Sequence, residues 1–193
     1  MVTFLETERL ALRPFDAAGD VEAVWELHND REVMRFINGG APTPRAAVRD
    51  EMGDRLLRRY VWPAEYGFWA AEERETGEFL GWFELRPTDG DGAAPVDCVE
   101  LGYRLRTAVW GRGLATEGAH ALVRTAFTEL GVARVMATTM TVNAGSRRVM
   151  EKAGLRYVRT FHEDWPDPIE GAEHGDVEYE LTAAEWRTNP PGR

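Results

Sequence analysis

Leu101–Gly118 reads LGYRLRTAVWGRGLATEG. Its first residues belong to the run Cys98–Arg106 (CVELGYRLR), which alternates apolar and polar positions as a strand does. The strand runs into the glycine-rich turn Trp110-Gly111-Arg112-Gly113-Leu114-Ala115. A helical pattern follows at once over Gly113–Leu130, with Ala115, Ala119, Leu122, Ala126, Phe127 and Leu130 on one stripe and Gly131 where a terminating glycine belongs. A helix start leaves backbone N–H groups unpaired and carries partial positive charge. A strand–glycine turn–helix unit is therefore suited to an anion such as a diphosphate. Gly111 and Gly113 remove the Cβ atoms that would block its approach, and Ala115 keeps the next position small. Thr116 offers a hydroxyl and Arg112 a charge. Two other glycine-loop readings fail. A P-loop requires Lys-Ser/Thr after its last glycine, where this chain has Leu114-Ala115. A dinucleotide-binding loop requires a third small residue at a fixed offset, and Gly118 lies beyond it.

Working outward, six further segments read as strands: Thr7–Phe15, Tyr66–Glu72, Phe79–Leu85, Ala133–Thr141, Leu155–Phe161 and Val177–Leu181. Thr76-Gly77 makes the second and third of these a hairpin. Helical spacing marks Val21–His28, a short helix ended by Asn38-Gly39-Gly40, and Ala144–Ala153 ended by Gly154. Thr43-Pro44 predicts an N-cap and first turn for a helix through about Arg59, with Val48, Met52 and Leu56 on one face. Pro87–Pro95 and His162–Asp176 read as polar loops, and Asn189–Arg193 as a frayed tail. An antiparallel run followed by strand–helix–strand–helix–strand predicts one α/β (α+β) domain on a mixed sheet.

The chain of 193 residues has a formal net charge of −10. That balance argues against a nucleic-acid partner, which calls for a basic face. It is compatible with a cationic substrate. The single cysteine, Cys98, excludes an internal disulfide and a CxxC metal knot, and its strand context predicts burial. No apolar run is long enough to cross a membrane, and Met1–Glu6 lacks the features of a signal peptide. A cytoplasmic protein without metal is the expectation. Trp25, Trp62, Trp69 and Trp82 read as core or pocket wall.

The chain resembles the GCN5-related N-acetyltransferase superfamily. Its acyl-CoA loop has the form Gln/Arg-x-x-Gly-x-Gly/Ala, which Trp110–Ala115 matches except that Trp110 takes the first position. The run Trp110–Glu117, together with Thr7-Glu8-Arg9-Leu10, Asn143-x-x-Ser146 and Glu151-Lys152-Ala153-Gly154-Leu155, is similar to the RimJ/RimL-like branch that acetylates ribosomal-protein N-termini. The resemblance spans about Thr7 to Trp186 and treats residues 1–193 as one N-acetyltransferase domain with a core at 7–186. It implies a mostly antiparallel seven-stranded sheet with helices on both faces. It also implies a splayed central pair of parallel strands, Cys98–Arg106 and Ala133–Thr141. Acetyl-CoA would lie in that gap. Its phosphates would sit on Trp110, Gly111, Arg112, Gly113, Leu114, Ala115 and Thr116, and its pantetheine arm would bond to backbone near Leu105.

The implied reaction moves acetyl to a primary amine, on a protein N-terminus or a small molecule, by direct attack in a ternary complex. An alkyl ammonium, with a pKa near 10.4 by analogy with lysine, must first lose a proton. Glu100 is the expected base, its carboxyl raised by apolar neighbours. Its bland alternative is a solvated strand glutamate. Asn143 and Ser146 are expected near the coenzyme, with Ser146 a proton donor to the leaving thiolate. Both residues also suit the cap and first turn of the following helix. Tyr157, on the next strand, reads as core. Glu163 and Asp164, in the acidic loop with Trp165, are alternative bases, while His162 and His174 are too isolated to be metal ligands. Trp25 and Asp30–Asn38 are expected at the acceptor mouth. A monomer or homodimer fits equally. The competing readings are a non-catalytic acyl-CoA-binding module and a structural interaction protein.

Overall fold

The computed structural model describes residues 3–57, 66–88, 96–163 and 167–188. Trp62, Asp164, Trp165 and the expected helix end at Arg59 lie outside them. Eight strands form one sheet: β1 (Leu5–Glu6), β2 (Leu10–Pro14), β3 (Gly67–Glu73), β4 (Phe79–Pro87), β5 (Cys98–Leu105), β6 (Arg134–Met140), β7 (Arg156–Phe161) and β8 (Asp176–Thr182). Their spatial order is β1-β2-β3-β4-β5-β6-β8-β7. The expected seven strands are all present. The eighth, β1, is a two-residue strand that pairs Leu5 with Leu12 and is too short to show a period. Every pairing is antiparallel except β5–β6.

That parallel pair is where the resemblance places the site. β5 pairs with β4 from Val99 to Leu105, and β6 pairs with β8 along its whole length. Between β5 and β6, pairing covers only Cys98–Arg134, Val99–Val135 and Glu100–Met136. Beyond Glu100 the two strands part, as the resemblance implied.

Strand alternation sorts β5 onto two faces. Val99, Leu101 and Leu105 are buried in the larger core with Phe83, Leu85 and residues of α4 (Leu114–Thr128). Glu100, Gly102 and Arg104 point the other way. There, α1 (Val21–His28), α3 (Arg45–Glu51) and the π-helical turn Met52–Leu56 bury Val24, Leu27, Val48, Met52 and Leu56 against Phe68, Ala70 and Trp82. α2 (Arg31–Asn38) sits between α1 and α3 in sequence and ends at Gly39, whose φ of 72° is the left-handed cap. Gly118 lets α4 lie close on the sheet, because a Cβ there would stand 2.3 Å from Phe83 Cζ.

Three expectations are corrected. Thr43 caps nothing: α3 starts at Arg45 with Pro44 at the N-cap, and the Thr43 hydroxyl instead donates to the His28 carbonyl at 3.3 Å. The long helix becomes a short α-helix that widens into the π-helical turn, a feature often associated with functional sites. Tyr157 is 53% exposed and packs edge-on against Tyr179 at 5.9 Å rather than entering the core. Cys98 is buried, as expected. Two helices complete the fold, α5 (Ala144–Lys152) and α6 (Ala183–Thr188). No helix among the described residues is long and apolar enough to cross a membrane.

Candidate active site

The turn from β5 into α4 is built as the sequence implied. Gly111 and Gly113 have φ of 74° and 81°, values that L side chains rarely adopt. Gly113 is the N-cap of α4, and no side chain among the described residues caps that end. A Cβ on Gly111 would meet nothing within 4 Å, and one on Gly113 would meet only Arg9 Nη2 at 3.7 Å. Open space around both Cβ positions, at a helix start whose amides lack intrahelical partners, suits the approach of a diphosphate. Leu114 anchors the first turn in the core at 2% exposure, with Ala115 packed beside it. Thr116, on the same turn, is half-buried. Arg112 turns away to Glu73 at 3.0 Å. Trp110 is half-exposed, and its indole Nε1 donates to the Leu105 carbonyl at 2.8 Å, tying the turn to the end of β5.

The N-terminal Thr-Glu-Arg-Leu run braces this turn. Glu117 accepts from the Thr7 hydroxyl at 2.6 Å, the Arg9 amide at 2.9 Å and Arg9 Nε at 2.7 Å. Arg9 Nη1 donates to the Arg112 carbonyl at 2.9 Å. Burial acts to raise the Glu117 carboxyl, but these hydrogen bonds and the Arg9 charge outweigh it and hold the group below its ordinary value. Two distant motifs thus form one support.

At the far side of the gap, Asn143 caps α5. Its Oδ1 accepts from the Ser146 amide at 3.1 Å, and its Nδ2 donates to Thr139 Oγ1 on β6 at 3.0 Å. Ser146 Oγ lies 3.1 Å from the Tyr103 hydroxyl, which also donates to the Ser146 carbonyl at 3.0 Å. Tyr103, on β5, therefore reaches across to α5. Burial pushes its phenol well above the ordinary value. The sequence reading passed over Tyr103.

The other face of β5 holds a cluster of charges. Glu100 is ion-paired with Arg86, its register partner on β4. Two residues along, Glu84 faces Gly102. A Cβ on Gly102 would stand 2.2 Å from Glu84 Oε1, so the glycine makes room for this carboxylate. Glu84 is 4% exposed. Its ion-pair contacts are long, 3.6 Å to Arg55 Nη2 and 3.4 Å to Arg86 Nε, and its Oε2 makes no hydrogen bond among the described residues. Burial pushes the carboxyl up to about 7; the Arg55 charge opposes that rise, and the Glu100 charge adds to it. Glu84 was also missed in the sequence, where it reads as one polar residue in an apolar strand.

Arg104 Nη1 lies 2.6 Å from Nε2 of the fully buried His28, whose Nδ1 is 3.3 Å from Glu51 Oε2. A guanidinium can only donate, so Nε2 is the acceptor and the ring proton sits on Nδ1. Burial lowers Arg104 to about 10, and it stays charged at neutral pH.

Other expected residues are placed elsewhere. Trp69 stacks on Phe4 at 4.2 Å. Trp25 donates to the Thr43 carbonyl at 3.1 Å beneath Arg45. Asp30 caps α2 and accepts from Thr107 Oγ1 at 2.6 Å, fixing α2 to the end of β5. Glu163, His162 and His174 are exposed, and Glu170 of the same loop approaches Arg35 of α2 at 3.9 Å. No group of three metal-ligating side chains occurs among the described residues.

Comparison with known proteins gives the same reading. Residues 9–156 match the family model described as an acetyltransferase (GNAT) domain. The chain is similar to an FsC-acetyl coenzyme A-N(2)-transacetylase of Aspergillus fumigatus, 35% identical across 94% of this chain and 77% of the relative. A GNAT-family acetyltransferase from Bacillus anthracis superposes with a TM-score of 0.76 at 23% identity, over 94% of this chain and 99% of the other. The RimL ribosomal α-N-protein acetyltransferase in complex with coenzyme A gives 0.74 at 15% identity, over 95% and 99%. Those two likenesses speak for the fold. With the family model covering most of the chain and a glycine turn beside parted strands, this chain belongs to the GNAT acetyltransferases and is an acetyl-CoA-dependent N-acetyltransferase.

Proposed function

We propose that the chain, acting as one domain with its core at 7–186, transfers acetyl to a primary amine by direct attack in a ternary complex, with Glu84 as the proton acceptor. The observation that carries this is the Glu84 carboxylate lying over Gly102, two residues past the last β5–β6 backbone pair. An ammonium must lose a proton before its nitrogen can attack, and a base is most effective when its pKa is near the working pH. Glu84, pushed up to about 7, meets that condition. Glu100 is engaged by Arg86, which also contacts Glu84. We assign Glu100 to holding that guanidinium, in place of the base role expected from the sequence.

Acetyl-CoA supplies the activated acyl group. The amides of Gly111, Arg112, Gly113, Leu114, Ala115 and Thr116 would hold its diphosphate, with Trp110 and Leu105 flanking the arm. Asn143 positions Ser146, and the Ser146 hydroxyl, held by Tyr103, would face the departing sulfur. In balance, the ammonium gives one proton to Glu84, the nitrogen–carbonyl bond forms and the carbon–sulfur bond breaks, the thiolate takes a proton from the Ser146 hydroxyl, and the nitrogen's second proton returns to Ser146 through solvent. The motif order supports placement near the RimJ/RimL-like branch. The net charge of −10 supports an amine rather than nucleic acid as partner. A monomer or homodimer would serve.

Free-thiol release from acetyl-CoA with a panel of amines tests the reading. Glu84→Gln is expected to lower turnover at least a hundredfold, and Glu100→Gln by less, each with coenzyme affinity kept. The reverse ranking returns the base role to Glu100. Tight coenzyme binding with no thiol release for any amine favours the binding module.

A further inference from the structure

Arg55 stands between the proposed base and solvent. Phe68, Glu84 and Gly102 are register neighbours across β3, β4 and β5. Trp82 is the next residue of β4 on the same face, and its ring meets that of Phe68 edge-on at 5.6 Å. Arg55 reaches this charged wall from the π-helical turn. Its guanidinium carbon lies 4.9 Å from the Phe68 ring centroid and 5.9 Å from that of Trp82. Its Nη2 is 3.6 Å from Glu84 Oε1, the oxygen that lies over Gly102, and its Nη1 is 3.4 Å from Glu51 Oε1. The Glu84 side chain is buried, whereas that of Arg55 is 42% exposed.

These contacts are loose. A settled guanidinium–carboxylate pair closes to about 2.7–2.9 Å, as Arg13 and Asp20 do at 2.7 and 2.8 Å. Neither carboxylate holds Arg55 that closely. Two ring faces and two negative charges hold it instead, and these attract any compact cation, an alkylammonium included. The other cation touching Glu84 among the described residues is Arg86, which is pinned by its ion pair with Glu100. An ammonium that gives its proton to Glu84 Oε1 must come within hydrogen-bond reach of that oxygen. Arg55 is the partly exposed group already beside it.

We propose, on the transfer reaction given above, that Arg55 is a placeholder for the acceptor: its guanidinium fills the ammonium's seat between Phe68, Trp82, Glu51 and Glu84 in the empty enzyme and yields it when the amine binds. The exchange swaps one cation for another, so the buried carboxylate is not left facing the seat without a counter-charge. Arg55 is thus a residue that tunes acceptor affinity and the strength of the free base. Burial pushes the Glu84 carboxyl up, and the Arg55 charge opposes that rise.

The test compares the parent with Arg55→Ala, using an amine that the parent acetylates, at about pH 9. The amine no longer competes with a tethered cation, so its KM is expected to fall about threefold or more. Methylguanidinium should refill the vacated seat. It should inhibit Arg55→Ala competitively against the amine, about tenfold more tightly than it inhibits the parent. In the kcat/KM profile the limb at about pH 7 should move to higher pH, because a positive charge facing Glu84 is gone. The remaining charges there are unaltered: Arg86, Glu100 and Arg104 on the strands and Glu51 on α3, with His28 of α1 behind Arg104. Arg55→Gln takes the same three measurements if Arg55→Ala fails to fold. A higher KM, methylguanidinium no tighter than on the parent, or an unmoved limb overturns this inference and leaves the transfer reading standing. No thiol release from the parent with any amine overturns both.

Discussion

Glu84 and Gly102 occupy opposing positions on β4 and β5, and the carboxylate fills the volume that a side chain on Gly102 would need. Gly102→Ala would place a methyl carbon 2.2 Å from Glu84 Oε1 and 2.8 Å from its Cδ. The carboxylate must swing away, at an overpacking cost of about 1–3 kcal/mol. Turnover is expected to fall at least tenfold with coenzyme affinity within twofold of the parent. In a Glu84→Gln background the same change should cost little more, since both act on one group. Additive losses in that cycle would separate Gly102 from Glu84.

The raised Glu84 carboxyl sets a pH dependence of stability. Its folded value of about 7 lies above its ordinary 4.5, so between those values the native state holds a proton that the unfolded chain has released. Stability therefore falls as pH rises through this window, by roughly 3 kcal/mol at most. Glu84→Gln should flatten that slope and be the more stable protein above pH 7. Parallel urea-melting profiles for the two proteins between pH 4.5 and 8 would refute it. In turnover the sign is opposite: the ionised form accepts the proton, so kcat/KM should rise through about pH 7, and that limb should vanish in Glu84→Gln.

Glu117 ties the glycine turn to the N-terminal segment through Thr7 and Arg9. Glu117→Ala removes three hydrogen bonds, two of them to the partly exposed Arg9, for a loss of about 1–3 kcal/mol. The coenzyme dissociation constant should rise about tenfold by calorimetry, equivalent to about 1.4 kcal/mol of lost binding. An unchanged dissociation constant would mean that the turn holds its shape unaided.

Gly113 adds a steric test. At φ of 81° a β-branched residue is strained, and its side chain would enter the open side of the turn. Gly113→Val is expected to abolish coenzyme binding in a protein that still folds. Normal affinity in that variant would move the diphosphate elsewhere.

The turn, α4 and the strands β5 and β6 were legible in the sequence because each has a local cause, whereas the parting of the two strands followed from the family resemblance. Glycines mark the turn, a 3.6-residue stripe marks α4, and β-branched alternation marks β6. The charged wall was not legible, because it depends on register. Glu84 becomes distinctive only once it is known to oppose Gly102, and Arg104 only once His28 is brought under it from a helix 76 residues earlier. Glu100 was named from strand position alone. That reading could not include Arg86, which reaches it from the neighbouring strand. The π-helical turn and the pairing of Thr7 and Arg9 with Glu117 are likewise tertiary facts.

The brevity of β5–β6 pairing has a kinetic counterpart. Residues 98–100 are flanked by backbone on both sides, whereas 101–105 are held by β4 alone. Amides on the free side should trade hydrogen for deuterium far sooner than those at the closed end. An arm laid between the strands would stand in for the missing neighbour and slow that trade, so solvent isotope uptake at the alternate positions within 101–105 whose amides face away from β4 becomes a direct gauge of occupancy.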